Sequence, residues 1–119
     1  MENVVEIDNL PEEWNNLMNQ LSEVFGKRPT DLNAVLFLIG VQELGKGHQF
    51  FSKEQKQDLM HIAICKVLSF SGFYELEGLD SEGWPHWKLI KKPPHFDLLS
   101  QEKFLKVHVL EYFNKEVFV

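Results

Sequence analysis

The chain has 119 residues and a formal net charge of −6, with 44% hydrophobic and 25% charged residues. These values are typical of one globular domain, predicted over residues 1–119, whose core needs neither disulfides nor a metal for stability. The acidic charge disfavours nucleic-acid phosphates as partners, and no apolar run approaches the ~20 residues that a membrane-spanning helix needs.

The N-terminal segment and the cysteine content indicate the compartment. The first ten residues are acidic and lack the positive start and long apolar run of a signal peptide. Cys65 is the single cysteine, so the chain has no internal disulfide. We therefore expect a cytoplasmic protein. The alternation of Val5 and Ile7 with acidic residues predicts an edge strand or an extended arm.

An amphipathic helix is predicted over Leu10–Phe25. Pro11 fits its first turn, and Glu12 and Glu13 place negative charge at the positive end of the helix dipole. Gly26 is a typical terminator. Spacings of three and four residues place the apolar side chains on one stripe, which comprises Trp14, Leu17, Met18, Leu21, Val24 and Phe25.

The most apolar stretch, Ala34–Val41, forms the centre of the predicted fold. Its flanks favour a helix over Asp31–Leu44, with Asp31 as a capping residue and Gly45 as the terminator, and a buried strand is the alternative. Because apolar residues occupy both faces, we expect other elements to surround this helix. Gly40 lies in the middle of this helix and has two explanations. A neighbouring backbone approaches closely at this position, or the helix simply tolerates the glycine there.

Two further helices follow in the sequence. The third begins after Ser52, which forms a capping box with Gln55. It extends to Ser71, and Gly72 ends it. The fourth is capped by Ser100, and its predicted buried stripe comprises Phe104, Leu105, His108, Val109, Tyr112 and Phe113.

A β-hairpin is predicted over Phe73–Lys92, with its turn at Asp80–Gly83. Its predicted cross-strand pairs are Leu79 with Trp84, Glu77 with His86, Glu75 with Lys88, Phe73 with Ile90, Leu76 with Trp87, and Tyr74 with Leu89. In this register Trp87 faces the core and His86 faces solvent. The chain is therefore predicted to be mainly α, in the α+β class. Four helices form a domain around the buried central helix, and one antiparallel β-hairpin lies between helices 3 and 4.

A metal site is one alternative that the sequence offers. His61 and Cys65 lie four residues apart on the third helix, a spacing that can chelate a metal, with Asp58 three residues before His61. The further ligands would come from His48, His86, His95 or His108. A buried structural thiol explains Cys65 equally, and its apolar neighbours disfavour a reactive thiolate. The chain contains no paired metal motif, so we predict no cofactor.

Two other groups of residues indicate binding. Trp84, His86 and Trp87 could line a pocket for a flat ligand or a peptide proline, or they could simply cover the helices. Lys88, Lys91 and Lys92 form the one dense basic patch. The order of helices, hairpin and helix resembles the winged-helix architecture in element order alone, which implies a DNA-contacting third helix and phosphate-contacting lysines.

The sequence carries no complete catalytic constellation, so an enzyme is disfavoured. Our leading hypothesis is a small cytoplasmic protein-interaction module without catalytic activity, which binds a protein partner or self-associates as a homodimer. The apolar end Val117–Val119, with Phe118 at its centre, is a candidate contact surface. A winged-helix-like nucleic-acid-binding protein and a metal-binding protein are the alternatives.

Overall fold

The computed structural model describes residues 9–47, 49–95 and 97–118. Across these residues the fold class predicted from the sequence is confirmed, with four α-helices and one antiparallel hairpin between the third and fourth. The predicted N-terminal strand or arm lies outside the described residues. The elements in chain order are α1 (Leu10–Phe25), α2 (Leu32–Leu44), α3 (Lys53–Ser69), β1 (Tyr74–Leu79), β2 (Pro85–Leu89) and α4 (Leu98–Tyr112), which a short π-helix (Phe113–Val117) continues.

The chain divides into two compact units, of which the first comprises the described residues of Met1–Leu32 and His95–Val119 and the second comprises Asn33–Pro94. A single domain over residues 1–119 stays a prediction.

In the first unit α1 packs against α4. Helix α1 has the predicted bounds, and Gly26 ends it with a left-handed φ of 77°. Val24 and Phe25, predicted for the buried stripe, are 59% and 50% exposed, so the stripe ends earlier than its spacing indicates.

Helix α4 begins at Leu98, three residues before the start that a cap at Ser100 predicted. Asp97, not Ser100, is the capping residue, because its carboxylate accepts a hydrogen bond from the backbone N–H of Ser100 at 2.8 Å. That hydrogen bond is the main reason that the pKa of Asp97 is lowered. Val107 and Val109 are β-branched, which lowers helix propensity slightly, but both lie within α4. Val109 is fully buried, and its packing outweighs that small loss.

The second unit contains most of α2, and the helix prediction for Ala34–Val41 is confirmed. One face of this helix is buried, and the opposite face is half-buried. Gly40 lies on the buried face, where a Cβ atom would stand 2.7 Å from the carbonyl carbon of Leu59 and closer still to its oxygen. Close backbone approach of α2 and α3 is therefore the reason for the glycine. Helix α3 starts with the predicted capping box and ends at Ser69, two residues before the predicted end.

The hairpin has the predicted strands and turn, but its register changes near the turn. Pairing of Tyr74 with Leu89, Glu75 with Lys88 and Leu76 with Trp87 is confirmed. The predicted pairs Glu77 with His86 and Leu79 with Trp84 are wrong, because a β-bulge between Leu76 and Gly78 sets Gly78 opposite His86 and Leu79 opposite Pro85. Gly78 adopts a φ of 144°, which only glycine takes readily, so this position accommodates the bulge.

Candidate functional site

The hairpin is attached to the helices of its unit by a row of three aromatic rings in contact. Trp84 packs edge-to-face on Phe51, with ring centroids 6.5 Å apart, and Phe51 packs in the same way on Phe37 at 6.1 Å. Phe51 is buried in a cluster with Leu44, Leu59 and Ile62. Trp84 is therefore held in place on one side by the core, and because it is only half-buried it also presents ring surface outwards.

Asp80 organises the turn that precedes Trp84. One carboxylate oxygen accepts hydrogen bonds from the backbone N–H groups of Glu82 and Trp84, at 2.9 and 3.0 Å. The other lies 2.9 Å from Nε2 of His86. The hydrogen bond with His86, followed by that with the Trp84 backbone, lowers the pKa of Asp80 to about 2. The ammonium group of Lys46 donates to the carbonyl oxygen of Glu82, which also belongs to this turn.

The lowered pKa of Asp80 predicts how the turn responds to acid. A carboxylate with a depressed pKa stabilises the folded state above its ordinary value of 3.8, and this contribution is lost as the pH falls through about 2. We expect the backbone N–H of Trp84 to lose hydrogen-exchange protection between pH 4 and pH 2 in the natural chain. Asp80→Ala, which removes the acceptor oxygens, should already show the low protection at pH 6. Equal protection of Trp84 in both proteins at pH 6 would contradict this role.

An open cavity of about 410 Å³ lies between α3 and the hairpin. We call it the Trp84 cavity. Its walls combine two tryptophans, two histidines and three carboxylates, and no lysine or arginine belongs to the lining found among the described residues. The lining residues are Gln55, Asp58, His61 and Ile62 from α3, and Asp80, Glu82, Trp84, Pro85, His86 and Trp87 from the hairpin. The structure thus brings the predicted residues Trp84, His86 and Trp87 together.

Gln55, Asp80 and Glu82 were not predicted as site residues, and Asp58 and His61 were predicted only as possible metal ligands. Gln55, Asp58 and His61 are three residues apart along α3, so one polar face of the helix could have been recognised from spacing. This face lies opposite the hairpin because of tertiary packing. The spacing of residues along α3 does not encode that packing.

Trp87 is held in the cavity wall by packing alone. Its side chain is half-buried, and its indole N–H is buried without a hydrogen-bond partner among the described residues. Such an unsatisfied donor costs about 1–3 kcal/mol. Trp87 can therefore change its orientation without breaking a hydrogen bond, whereas the Phe51 contact and the turn fix Trp84.

The predicted metal pair, His61 and Cys65, is only partly accessible. The Cys65 sulfur lies 3.5 Å from Nε2 of His61 and is fully buried, and burial raises the thiol pKa to about 11. Within the described ranges, no three His, Cys, Asp or Glu side chains are placed to hold one metal ion. Of the proposed further ligands, His48 lies outside the described residues. His108 is buried in the other unit, where its Nδ1 lies 2.8 Å from the Phe104 carbonyl oxygen.

Burial of Cys65 leads to a chemical prediction. The thiolate is the reactive form, and a pKa of about 11 leaves very little of it at pH 8. Alkylation by iodoacetamide at pH 8 should therefore be roughly 100-fold slower than for a free cysteine, even before steric protection is counted. Mass spectrometry over a time course measures the rate. In urea the rate should rise to the free-thiol value, and fast alkylation of the folded protein would refute the buried placement.

The remaining predicted residues are not among the lining residues of the Trp84 cavity. Lys88, Lys91 and Lys92 are exposed, but Lys88 stands opposite Glu75 and the ammonium of Lys91 lies 4.8 Å from the centroid of the Phe73 ring. Nucleic-acid binding through these lysines stays a prediction. In the other unit, Phe118 stacks on Phe113 with ring centroids 5.8 Å apart. The apolar end is thus packed as far as Phe118, and Val119 lies outside the described residues.

Comparisons of this chain with protein families, with curated proteins and with solved structures find no match. Within the described ranges, none of the helices has the length and apolar character required to cross a membrane.

Proposed function

We propose that this protein is an interaction module without catalytic activity, and that it binds a protein partner at the Trp84 cavity. The observation that carries the proposal is the pair of half-buried tryptophans in one open cavity beside several polar groups. Tryptophan is strongly enriched among residues that dominate binding energy. Because the core fixes Trp84, a partner meets a preformed surface and loses little affinity to ordering it.

Apolar surface next to the cavity supports this proposal. Leu76 and Leu79 are 49% and 68% exposed. They are the cross-strand neighbours of Trp87 and Pro85, which both line the cavity. Apolar surface therefore continues from the cavity onto β1. Exposed apolar surface of this kind is typical of contact sites.

The absence of catalysis is proposed from the chemistry of the cavity wall. His86 and Asp80 form a hydrogen-bonded pair, which in hydrolases can activate a nucleophile. Among the described lining residues there is no serine, threonine or cysteine to serve as that nucleophile. The same Asp80 carboxylate binds two backbone N–H groups of the turn. We therefore assign this pair to holding the turn in shape.

Site-specific photo-cross-linking in the cells that make the protein tests the proposal. A benzophenone side chain at Ser81, which is exposed between two cavity residues, should form an adduct with one protein of defined mass. The same group at Gln20, exposed on α1, is the control and should not form that adduct. No adduct at Ser81, or the same adducts from both positions, would count against the proposal.

Self-association is measured separately with the purified chain. Because Phe118 packs on Phe113, the apolar end gives the homodimer hypothesis less support than its sequence did. Sedimentation velocity over a concentration series measures the oligomeric state. A dimer that disappears when Leu79 is changed to Ser would identify a second copy as the partner at this surface. A monomer at all concentrations leaves a different protein as the partner.

A further inference from the structure

We propose that the Trp84 cavity recognises a positively charged side chain, lysine or arginine, of the partner protein. This inference rests on the proposed function and names the chemistry of its ligand. It depends on two independent properties of the cavity, the charge of its wall and the kind of aromatic ring that it exposes.

The charge of the cavity wall favours a cation. Asp58, Asp80 and Glu82 line the cavity, and its described lining includes no lysine or arginine. The hydrogen bonds with His86 and with the Trp84 backbone lower the pKa of Asp80 to about 2, so its carboxylate is ionised at neutral pH. The carboxylates of Asp58 and Glu82 make no hydrogen bond or ion pair with described residues. Lys46, the cation bound at the turn, donates to the carbonyl oxygen of Glu82 and leaves the Glu82 carboxylate available.

The aromatic residues favour a cation for a second reason. The face of an indole ring carries negative potential, and tryptophan attracts ammonium and guanidinium groups better than tyrosine or phenylalanine does. An anionic or purely apolar ligand would gain nothing from the three carboxylates beside these rings. A protonated side chain gains from both, because its aliphatic stem packs on the ring while its charged end reaches the carboxylates.

The chain already contains this arrangement elsewhere, with the cation supplied internally. In the first unit, the ammonium of Lys106 lies 5.1 Å from the centroid of the Trp14 ring and 3.2 Å from a carboxylate oxygen of Glu102. A tryptophan and a carboxylate thus share one ammonium group on the surface of this protein. The Trp84 cavity presents the same two kinds of group, and the cation remains to be supplied by the partner.

Peptide titration of the full ¹⁵N-labelled chain tests the proposal. The probe is a flexible Gly-Ser peptide with three arginines, and the matched control peptide carries citrulline, which has the shape of arginine without its charge. The chain has three indole N–H signals. Those of Trp84 and Trp87 should shift with the arginine peptide while that of Trp14 stays unchanged. The citrulline peptide should bind at least ~10-fold more weakly. A lysine peptide and its uncharged acetyl-lysine analogue form a second pair, for which the same difference in binding is expected.

Paired charge variants separate local recognition from general attraction to an acidic chain. Asp58→Asn with Glu82→Gln removes two cavity carboxylates, and Glu54→Gln with Glu77→Gln removes two exposed carboxylates from the same helix and hairpin outside the lining. Both pairs change the net charge equally. The cavity pair should weaken arginine-peptide binding at least ~5-fold, and the control pair less than ~2-fold.

Three results would overturn the cation proposal. They are equal weakening by both variant pairs, equal binding of the arginine and citrulline peptides, and shifts confined to signals outside the cavity or absent altogether. None of them removes the interaction module itself, because the Ser81 cross-link reports partner contact whatever the ligand chemistry. If the Ser81 adduct is absent and arginine peptides still bind as expected, the cavity binds cations as proposed, but the proposed protein partner is wrong.

Discussion

Replacing Gly40 with alanine is expected to lower the free energy of unfolding by about 2 kcal/mol or more. Helix propensity alone predicts the opposite, since alanine is favoured over glycine by ~1 kcal/mol inside a helix. At this position, however, the added methyl group would stand 2.7 Å from the Leu59 carbonyl carbon and 2.8 Å from the Leu59 Cβ. These atoms belong to the backbone and its first side-chain carbon, so no rotamer change relieves the overlap. Helices α2 and α3 must separate, which costs more than the propensity gain.

Urea denaturation followed by circular dichroism measures this effect. Gln42→Ala is the matched control, because Gln42 is exposed on the same helix and should change stability by less than ~0.5 kcal/mol. If the chain unfolds in one transition, a drop of about 2 kcal/mol at this chain length corresponds to a midpoint lower by roughly 8 °C on heating. If Gly40→Ala is as stable as the natural chain or more stable, the close approach of α2 and α3 is wrong, and the glycine is merely tolerated.

The helices were predictable because the signals that define them are local. Helix α1 has the bounds that its proline, its apolar spacing and Gly26 indicate, and α3 begins at the predicted capping box. The strand alternative for Ala34–Val41 fails, as the capping residues at its flanks indicated. In each case the hydrogen-bond partners lie within four residues, so the sequence window contains the whole interaction.

The errors occur where two local options compete. Asp97 and Ser100 are both good capping residues, and the structure uses the earlier one, so that Ser100 provides the N–H that the Asp97 carboxylate binds. In the hairpin, a register without a bulge pairs opposite charges, and the observed register moves Glu77 out of line with His86. The Asp80 carboxylate takes over as the partner of His86, at 2.9 Å. A residue-by-residue pairing rule cannot anticipate a bulge, because the bulge inserts an extra residue into one strand.

The candidate site was half visible in the sequence. Trp84 and Trp87 stand out because large aromatic residues beside a proline and a histidine are unusual. The carboxylates were hidden, since Asp58 lies on a polar helix face that resembles ordinary solvated surface and Glu82 sits in a turn. Packing of α3 against the hairpin brings the tryptophans and the carboxylates into one cavity. This contact joins residues about 25 positions apart in the sequence. The charge of the cavity, on which the ligand proposal depends, is therefore a property of tertiary structure.

The largest loss of stability is expected from Leu21→Ala in the first unit. Leu21 is 0% exposed and lies on the buried face of α1 with Leu17 and Met18. Truncation of a fully buried leucine removes its transfer free energy and leaves a void that neighbours fill only in part, at a cost of ~3 kcal/mol. The thermal midpoint should fall by roughly 12 °C. Gln20→Ala, at the exposed neighbouring position, should leave the midpoint within about 2 °C.

Leu21→Ala also tests the single-domain prediction when it is compared with Gly40→Ala. The two positions belong to different compact units of the chain. If residues 1–119 unfold as one domain, each variant lowers the midpoint of the same cooperative transition, and fluorescence of Trp14 and of Trp84 gives coincident curves. Single-tryptophan forms of the chain, with the other tryptophans changed to phenylalanine, separate the two signals. Destabilisation confined to the Trp14 signal in Leu21→Ala would mean that the units unfold independently, and the prediction of one domain would then be wrong.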